Sequence, residues 1–351
     1  MNSVSKKIDI RNLDHSQLEA YITGELGLPR FRAGQIWKWI WQKGSGTFSE
    51  MTDLSKDLRE RLPEIFTIQP IRLDKIQRSN DGTIKSRFRL YDGHLIESVL
   101  IPVPSENRYT VCVSSQVGCS LSCKFCATGQ MNRVRNLDPG EIYDQVFQVN
   151  EQSLEHFGHP LTNIVFMGMG EPLLAYKPVM QSIERITAAD GLNMSPKRIT
   201  VSTAGIAKMI LKLADDAVKF NLALSLHAAD DDKRNEIMPI NEQNNLEVLQ
   251  SALTQFYHKT HNKITLEYIA FQDFNDGIED ADNLARFCQA FPVVVNIIEY
   301  NPIAGFDRVK SNAEKINRFA GRLASRGVSV TVRRSRGKDI DAACGQLANK
   351  D

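Results

Sequence analysis

Cys119, Cys123 and Cys126 share one short stretch, GCSLSCKFCATG, in a chain that has six cysteines among 351 residues. Six is too few to staple a secreted domain of that length, so thiols grouped this closely point to ligands or catalysts. The spacing Cys-x3-Cys-x2-Cys supplies three thiolates, one fewer than fills a structural zinc site or an ordinary four-iron cluster. Two chemistries follow from that shortfall. A zinc knuckle would take a fourth ligand from elsewhere, such as Cys112, whereas a 4Fe-4S cluster held by three cysteines would keep one iron open to a further ligand. Cys344 lies far along the chain beside a glycine, after the basic run RRSRGK at residues 333–338. Positive neighbours lower a thiol pKa, but Asp339 and Asp341 lie between and oppose them.

Residues able to position a ligand fall at the ends of apolar runs. GMGEP, Gly168 to Pro172, follows NIVFM; Ser202 and Thr203 close RITVST; Ser225 to His227 close LALSLH; Asn301 follows IIEY. Glycine lets backbone approach a ligand closely, and Glu171 can accept from a bound ammonium or, equally, oppose a helix dipole. Ser225 and His227 read as well as satisfied polar groups of a core, and Cys112 as a small inward-facing strand residue.

What must position these residues is a repeated βα pattern. From Tyr109 to about Thr331, the runs YTVCVSS, TNIVFMG, KRITVST, NLALSLH, KITLEYIA, VVVNIIEY and GVSVTV alternate with helical segments. Strands buried on both faces read in this nearly continuous way. One intervening helix is announced by Asp138 as cap and Pro139 at the first helical position. Repeated βα units predict an α/β fold with a parallel sheet and right-handed crossovers, and about six units suit a partial barrel. In such folds chemistry gathers at the carboxyl edge of the strands, where the cysteine loop and the four patches above all fall.

Before residue 66 the pattern is helical, with Leu18, Tyr21, Ile22 and Leu26 at helix spacing and an amphipathic stretch from Phe31 to Trp41 that includes three tryptophans. Those rings serve either a small core or an RNA platform. SRFRLYDGHLIESVLIP alternates around Asp92-Gly93, a pair that favours a type I′ hairpin turn. The expected organisation is a helical module over residues 1–66, a hairpin linker over 67–108, the βα region over 109–332 and a C-terminal segment over 333–351 carrying Cys344. Lys and Arg number 43 against 42 Asp and Glu, so a nucleic-acid footprint would have to be local. The N-terminus lacks an apolar leader and no run is long enough to span a membrane, so a cytoplasmic protein is expected.

Cys-x3-Cys-x2-Cys after the first strand of a βα series resembles the radical S-adenosylmethionine (radical SAM) superfamily, in which the open iron chelates the amino and carboxylate groups of S-adenosylmethionine. Together with FMGMGEP, LALSLHA, MPIN and DIDAACGQL, the chain resembles the RlmN/Cfr family of radical SAM RNA methylases over most of its length. The RFRAGQIWKWIW module and the DGHLIESVLIP hairpin look more like the RlmN branch. The resemblance implies a partial (βα)6, TIM-like barrel and methylation of carbon 2 of an adenine in 23S rRNA and of one beside the anticodon in tRNA. A Cfr-like enzyme acting on carbon 8 is the alternative. One departure stands out: after Met131 the family commonly shows Gly-Phe, where this chain has Asn132-Arg133.

Carried over residue by residue, the resemblance assigns Cys119, Cys123 and Cys126 to the cluster. Gly170, Glu171, Ser202, Ser225, Leu226, His227 and Asn301 match the S-adenosylmethionine contacts. Cys344 takes a methyl group from one S-adenosylmethionine. A second is cleaved to a 5′-deoxyadenosyl radical, which activates that methyl for addition to the adenine. Glu97 matches the proton acceptor, and Cys112 the thiol that resolves the protein–RNA link by forming a disulfide. The basic run 333–338 is read as a phosphate contact. A flavodoxin-like one-electron donor and a monomeric state complete the expectation.

Overall fold

The structure, a computed structural model, describes residues 7–350; the first six residues of the expected module, on which the expectation about a leader falls, and the final residue lie outside the described residues. The module comprises α1 (His15–Gly24), α2 (Phe31–Trp41) and α3 (Lys56–Ile65), with β1 (Ile8–Asp9) parallel to β2 (Phe66–Thr67). Asp14 and Gln17 cap α1 reciprocally, at 2.8 and 2.9 Å. Trp37 and Trp41 are core, while Trp39 is half-buried beneath the Lys43 ammonium, 3.4 Å from its ring centre. The module seats on the next domain through Trp41, edge-on to Tyr143 at 5.0 Å, and through buried Arg11, which pairs with Asp9 and with Asp144 at 2.7 Å.

β3 (Arg72–Arg78), β4 (Ile84–Arg89) and β5 (Leu95–Val103) form an antiparallel meander, and β5 pairs antiparallel with β6 (Arg108–Cys112). The expected linker is thus continuous with the main sheet. Its turn is not type I′: of Asp92-Gly93 only Gly93 has positive φ, at 86°, and its N–H donates to Leu90 O. That is a type I turn closed by a left-handed glycine, the usual form when three residues connect the strands.

β7 (Gln116–Val117) and β8 (Arg135–Asn136) pair antiparallel at the neck of the cysteine loop. Then β9 (Asn163–Phe166), β10 (Ile199–Thr203), β11 (Asn221–Ser225), β12 (Ile264–Ala270), β13 (Val294–Glu299) and β14 (Ser329–Arg333) follow β6 in a parallel series. The crossovers carry α4 (Pro139–Phe157), α5 (Tyr176–Thr187), α6 (Ala207–Asp215), α7 (Asp231–Ile237) with α8 (Leu246–Thr260), α9 (Ile278–Phe287) and α10 (Ala313–Ser325). Asp138 and Pro139 open α4 as expected, with the Asp138 N–H donating to Glu141 at 2.9 Å. Every residue of β12 is buried, which is why such strands read as unbroken apolar runs.

Six βα units and a seventh parallel strand make a sheet whose edges are β3 and β14. Laid flat, the seven steps from β13 to β4 would span about 34 Å at the usual strand spacing. Yet Lys338 pairs with Glu299 at the end of β13 while its neighbour Gly337 donates to Asp81 in the β3–β4 turn. The sheet therefore curls into a partial barrel, and the C-terminal segment bridges its gap. Among the described residues no helix is long and apolar enough to cross a membrane.

Candidate active site

The cysteine loop leaves the carboxyl end of β6 and returns through β8. Its neck requires glycine at position 118, where φ is +73° and a Cβ would lie 2.1 Å from Asn132 O. The tail holds the crown: Ala127 N–H donates to Gly345 O at 2.7 Å, and buried Thr128 Oγ1 to Leu347 O at 2.6 Å. Cys123 is buried and Cys119 and Cys126 half-buried. Burial pushes all three thiols up, Cys119 to about 11, so thiolates here need a cationic partner.

All three cysteines face a cavity of about 140 Å³ at the barrel mouth, shared with Gly170, Glu171, Ser202, Ser225, His227, Glu267 and Cys344. Gly170 has φ +96°, and a Cβ there would lie 2.4 Å from the Gln116 side chain, so only glycine lets this turn pack against β7 at the cavity edge. Buried Glu171 accepts from Ala204 N–H at 2.8 Å and Leu173 N–H at 3.0 Å, and burial raises its pKa to about 7. Ser202 and Ser225 bring their hydroxyls to 3.5 Å across neighbouring strands. His227 Nδ1 accepts from Ile269 N–H at 3.1 Å; burial, then Arg234, lowers its pKa to about 3, leaving a neutral ring with its proton on Nε2.

Cys344 is solvent-accessible, but it lies recessed in this cavity. Crowding by surrounding atoms, then the Glu267 charge, pushes its thiol to about 11. Asn301 does not line the cavity; its Nδ2 donates to Cys344 O at 3.3 Å and so positions that residue. Leu226 points into the core. Its N–H donates to Glu267 O, and its carbonyl accepts from Arg234 Nε at 3.0 Å.

Cys112 is buried at the end of β6, its thiol bonded to the Met167 backbone and raised by burial and then by Cys344. It does not line the cavity that the three loop cysteines share. Among the described residues no three His, Cys, Asp or Glu side chains group closely enough to hold a single metal ion. All six cysteines are free thiols, so the expected Cys112–Cys344 disulfide is not a feature of this structure. Glu97 does not itself line the cavity but is buried directly behind the tail that does, with Lys85 at 3.3 Å and the Ala348 and Asn349 amides at 2.9 and 3.1 Å. Of the basic run, Lys338 pairs with Glu299 at 2.5 Å, Arg334 reaches the same carboxylate at 3.9 Å and Arg336 donates to Asp81 O, and both Arg333 and Arg334 are exposed. Asn132 and Arg133 line an opening on the outer side of the loop that reaches Cys119 and Cys123.

Glu267 escaped sequence reasoning, although a lone charge inside ITLEYIA is a visible signal. Its Oε1 accepts from Thr265 Oγ1 at 2.9 Å and Asn296 Nδ2 at 2.7 Å, whereas Oε2 is buried with no hydrogen-bond partner. Such an oxygen is costly unless something bound supplies a donor. Together with three thiols in need of a cation and the buried carboxylate of Glu171, it fits the cavity to an iron–sulfur cluster and an amino- and hydroxyl-bearing ligand. Buried Arg234 was also missed; its guanidinium ties the ends of β10 and β11 through Ala204 O and Ser225 O, at 2.6 and 3.3 Å.

Residues 8–68 match the family described as the ribosomal RNA large subunit methyltransferase N-terminal domain, and residues 113–288 match the radical SAM superfamily. A protein of Christiangramia forsetii named as a probable dual-specificity RNA methyltransferase RlmN is 53% identical over 345 residues, covering 98% of this chain and 97% of its own. Dual-specificity RNA methyltransferase RlmN 2 of Myxococcus xanthus is 43% identical, covering 99% of this chain and 92% of its own. The crystal structure of a radical SAM methyltransferase from Sphaerobacter thermophilus superposes with a TM-score of 0.92 at 39% identity, over 98% of this chain and 100% of that one.

Proposed function

The chain belongs to the RlmN family of radical SAM RNA methyltransferases, and on that premise we propose that its barrel mouth methylates carbon 2 of an adenosine in 23S rRNA and of one beside the anticodon in tRNA. The observation that carries this reading is the convergence on one cavity of the three loop cysteines and Cys344, a residue more than 200 positions away. Carbon 2 of adenine is electron-poor and cannot attack a sulfonium, so an ordinary polar transfer to it fails. The N-terminal family match and the names of the relatives favour carbon 2 over carbon 8.

Cys119, Cys123 and Cys126 would hold the 4Fe-4S cluster. When bound, the cluster and S-adenosylmethionine supply a 5′-deoxyadenosyl radical, and a further S-adenosylmethionine supplies the methyl group. Gly170 lines the ligand's side of the cavity, Glu171 accepts from its ammonium, and Ser202 and Ser225 offer hydroxyls. Cys344 carries the methyl at Sγ, held in place by Asn301. Glu97 receives the proton lost from carbon 2, and Cys112 attacks Sγ of Cys344 to free the product. Exposed Arg333 and Arg334 meet RNA phosphate. A flavodoxin-like protein delivers electrons, and the enzyme works as a cytoplasmic monomer.

Anaerobic reconstitution followed by iron and sulfide analysis, S-adenosylmethionine cleavage and nucleoside mass spectrometry of treated 23S rRNA and tRNA tests the reading. About four irons per chain, released 5′-deoxyadenosine and 2-methyladenosine are expected. Finding 8-methyladenosine, or zinc without cleavage, would overturn it.

A further inference from the structure

The tail that carries Cys344 is fastened on both sides of that residue to the same buried ion pair. Lys85 on β4 and Glu97 on β5 lie 3.3 Å apart, with side chains only 4% and 1% exposed. Ahead of Cys344, Asp341 O accepts from Lys85 Nζ at 3.4 Å. Beyond it, Glu97 Oε2 accepts the Ala348 and Asn349 amides at 2.9 and 3.1 Å. Residues 341–349 thus form an arch whose two feet stand on one cation and one anion, with Cys344 near its crown. β5 also pairs with the strand that ends in Cys112: Val99, two residues beyond Glu97, is the register partner of Cys112.

We propose that Lys85 and Glu97 form a clasp that holds Cys344 over the cavity, and that protonation of Glu97 opens it so that Cys344 can turn toward Cys112. Lys85 is then a positioning residue that acts through Glu97 and the tail. The inference rests on the reading of Glu97 as proton acceptor. The proton comes from the adenine carbon of the protein–RNA adduct; because that adduct carries an unpaired electron, one electron would pass to the oxidised 4Fe-4S cluster while the C–H pair passes into the ring, and the proton leaves to water once the tail lifts. The physical cause is charge. A carboxylate gives the two amides charge-assisted bonds roughly twice as strong as neutral ones, and neutralising it leaves the Lys85 ammonium buried without its counter-ion. The grip on both feet therefore weakens in one event, after methyl transfer and before resolution.

Hydrogen exchange on the full chain tests this, comparing wild type with Glu97→Gln, Lys85→Met, the double variant and Lys85→Arg. Glu97→Gln mimics the protonated carboxyl at constant shape. Amides of residues 342–350 should exchange faster by about tenfold or more, with the parallel strands unchanged. Lys85→Met should move them the same way, Lys85→Arg far less, and the double variant should exchange more slowly than Glu97→Gln because the stranded cation is gone. Tail exchange that is unaltered in Glu97→Gln, or a double variant equal to the product of the single effects, would overturn the clasp. If Lys85→Met does not fold, Glu97→Gln against Lys85→Arg carries the comparison. A parallel assay for the trapped protein–RNA adduct separates the two readings. A loosened tail without adduct keeps Lys85 and Glu97 as the anchor of Cys344 but removes Glu97 as proton acceptor and with it the opening step; adduct with an unchanged tail keeps the acceptor and overturns the clasp.

Discussion

The cysteine loop is closed at its neck by ladder pairs, Gln116 with Asn136 and Val117 with Arg135, whereas among the described residues the tail from Arg334 to Lys350 pairs with no strand. The loop inherits its position from the end of β6 and from glycines whose close contacts admit no side chain. The tail is placed by scattered polar contacts to residues far away in sequence: Asp81, Lys85, Glu97, Thr128 and Asn301. A ladder resists displacement along its whole length, while polar anchors can be released one at a time. The difference suits the proposed roles, a fixed loop for the cofactor facing a thiol that would change partners within one turnover.

Removing a loop ligand should have the largest effect. Cys123→Ala deprives the cluster of one of three thiolates, so iron content after reconstitution should collapse and both S-adenosylmethionine cleavage and RNA methylation should be lost. Cys344→Ala should leave iron content and cleavage measurable while abolishing methylation. Cys112→Ala should instead accumulate a covalent protein–RNA adduct, visible as a shifted band under denaturing conditions. If Cys344→Ala lost its cluster as fully as Cys123→Ala, the tail would be part of the cofactor cradle and the contrast would fail.

The same contrast governs how much was legible in the sequence. Strand ends are readable because β9 to β13 are buried on both faces and show as apolar runs, so that the loop cysteines, Glu171, Ser202, Ser225 and His227 align at one edge in the sequence pattern itself. Backbone-mediated roles are not. Leu226 sits between two contact residues in sequence yet turns into the core, and Asn301 serves the Cys344 carbonyl and not the cavity. Lys85 was invisible because IKSRFR reads as a surface strand, and only the folded tail covers it. In the basic run, composition showed charge but not that Arg336 and Lys338 are engaged within the fold.

Within the cavity, Glu171 should make cofactor affinity depend on pH. With burial raising its pKa to about 7, it is a carboxyl below that pH and a carboxylate above it. A ligand ammonium needs the carboxylate, so the Kd for S-adenosylmethionine should weaken about tenfold for each unit that pH falls below 7. Glu171→Gln should bind more weakly throughout and lose that slope; a slope that survives would assign the titration to another group. Glu267→Gln should weaken binding by about tenfold, the worth of one buried hydrogen bond to a charged acceptor. Unchanged affinity would mean that its open oxygen faces only water.

The smallest effect belongs to the seam where loop and tail touch. Thr128 lies in the loop, yet its hydroxyl donates to Leu347 O at 2.6 Å, and Ala127 N–H donates to Gly345 O next to Cys344. Thr128→Val keeps shape and removes one donor, leaving a carbonyl of the tail short of its partner at a cost of about 1 kcal/mol. If the loop is held by its own ladder, cluster content and cofactor affinity should be unchanged, while iodoacetamide labelling of Cys344 should quicken by about fivefold, the factor that 1 kcal/mol represents. Loss of iron in Thr128→Val would show that the loop depends on the tail as the tail depends on the loop, and that the two regions form one cooperative unit.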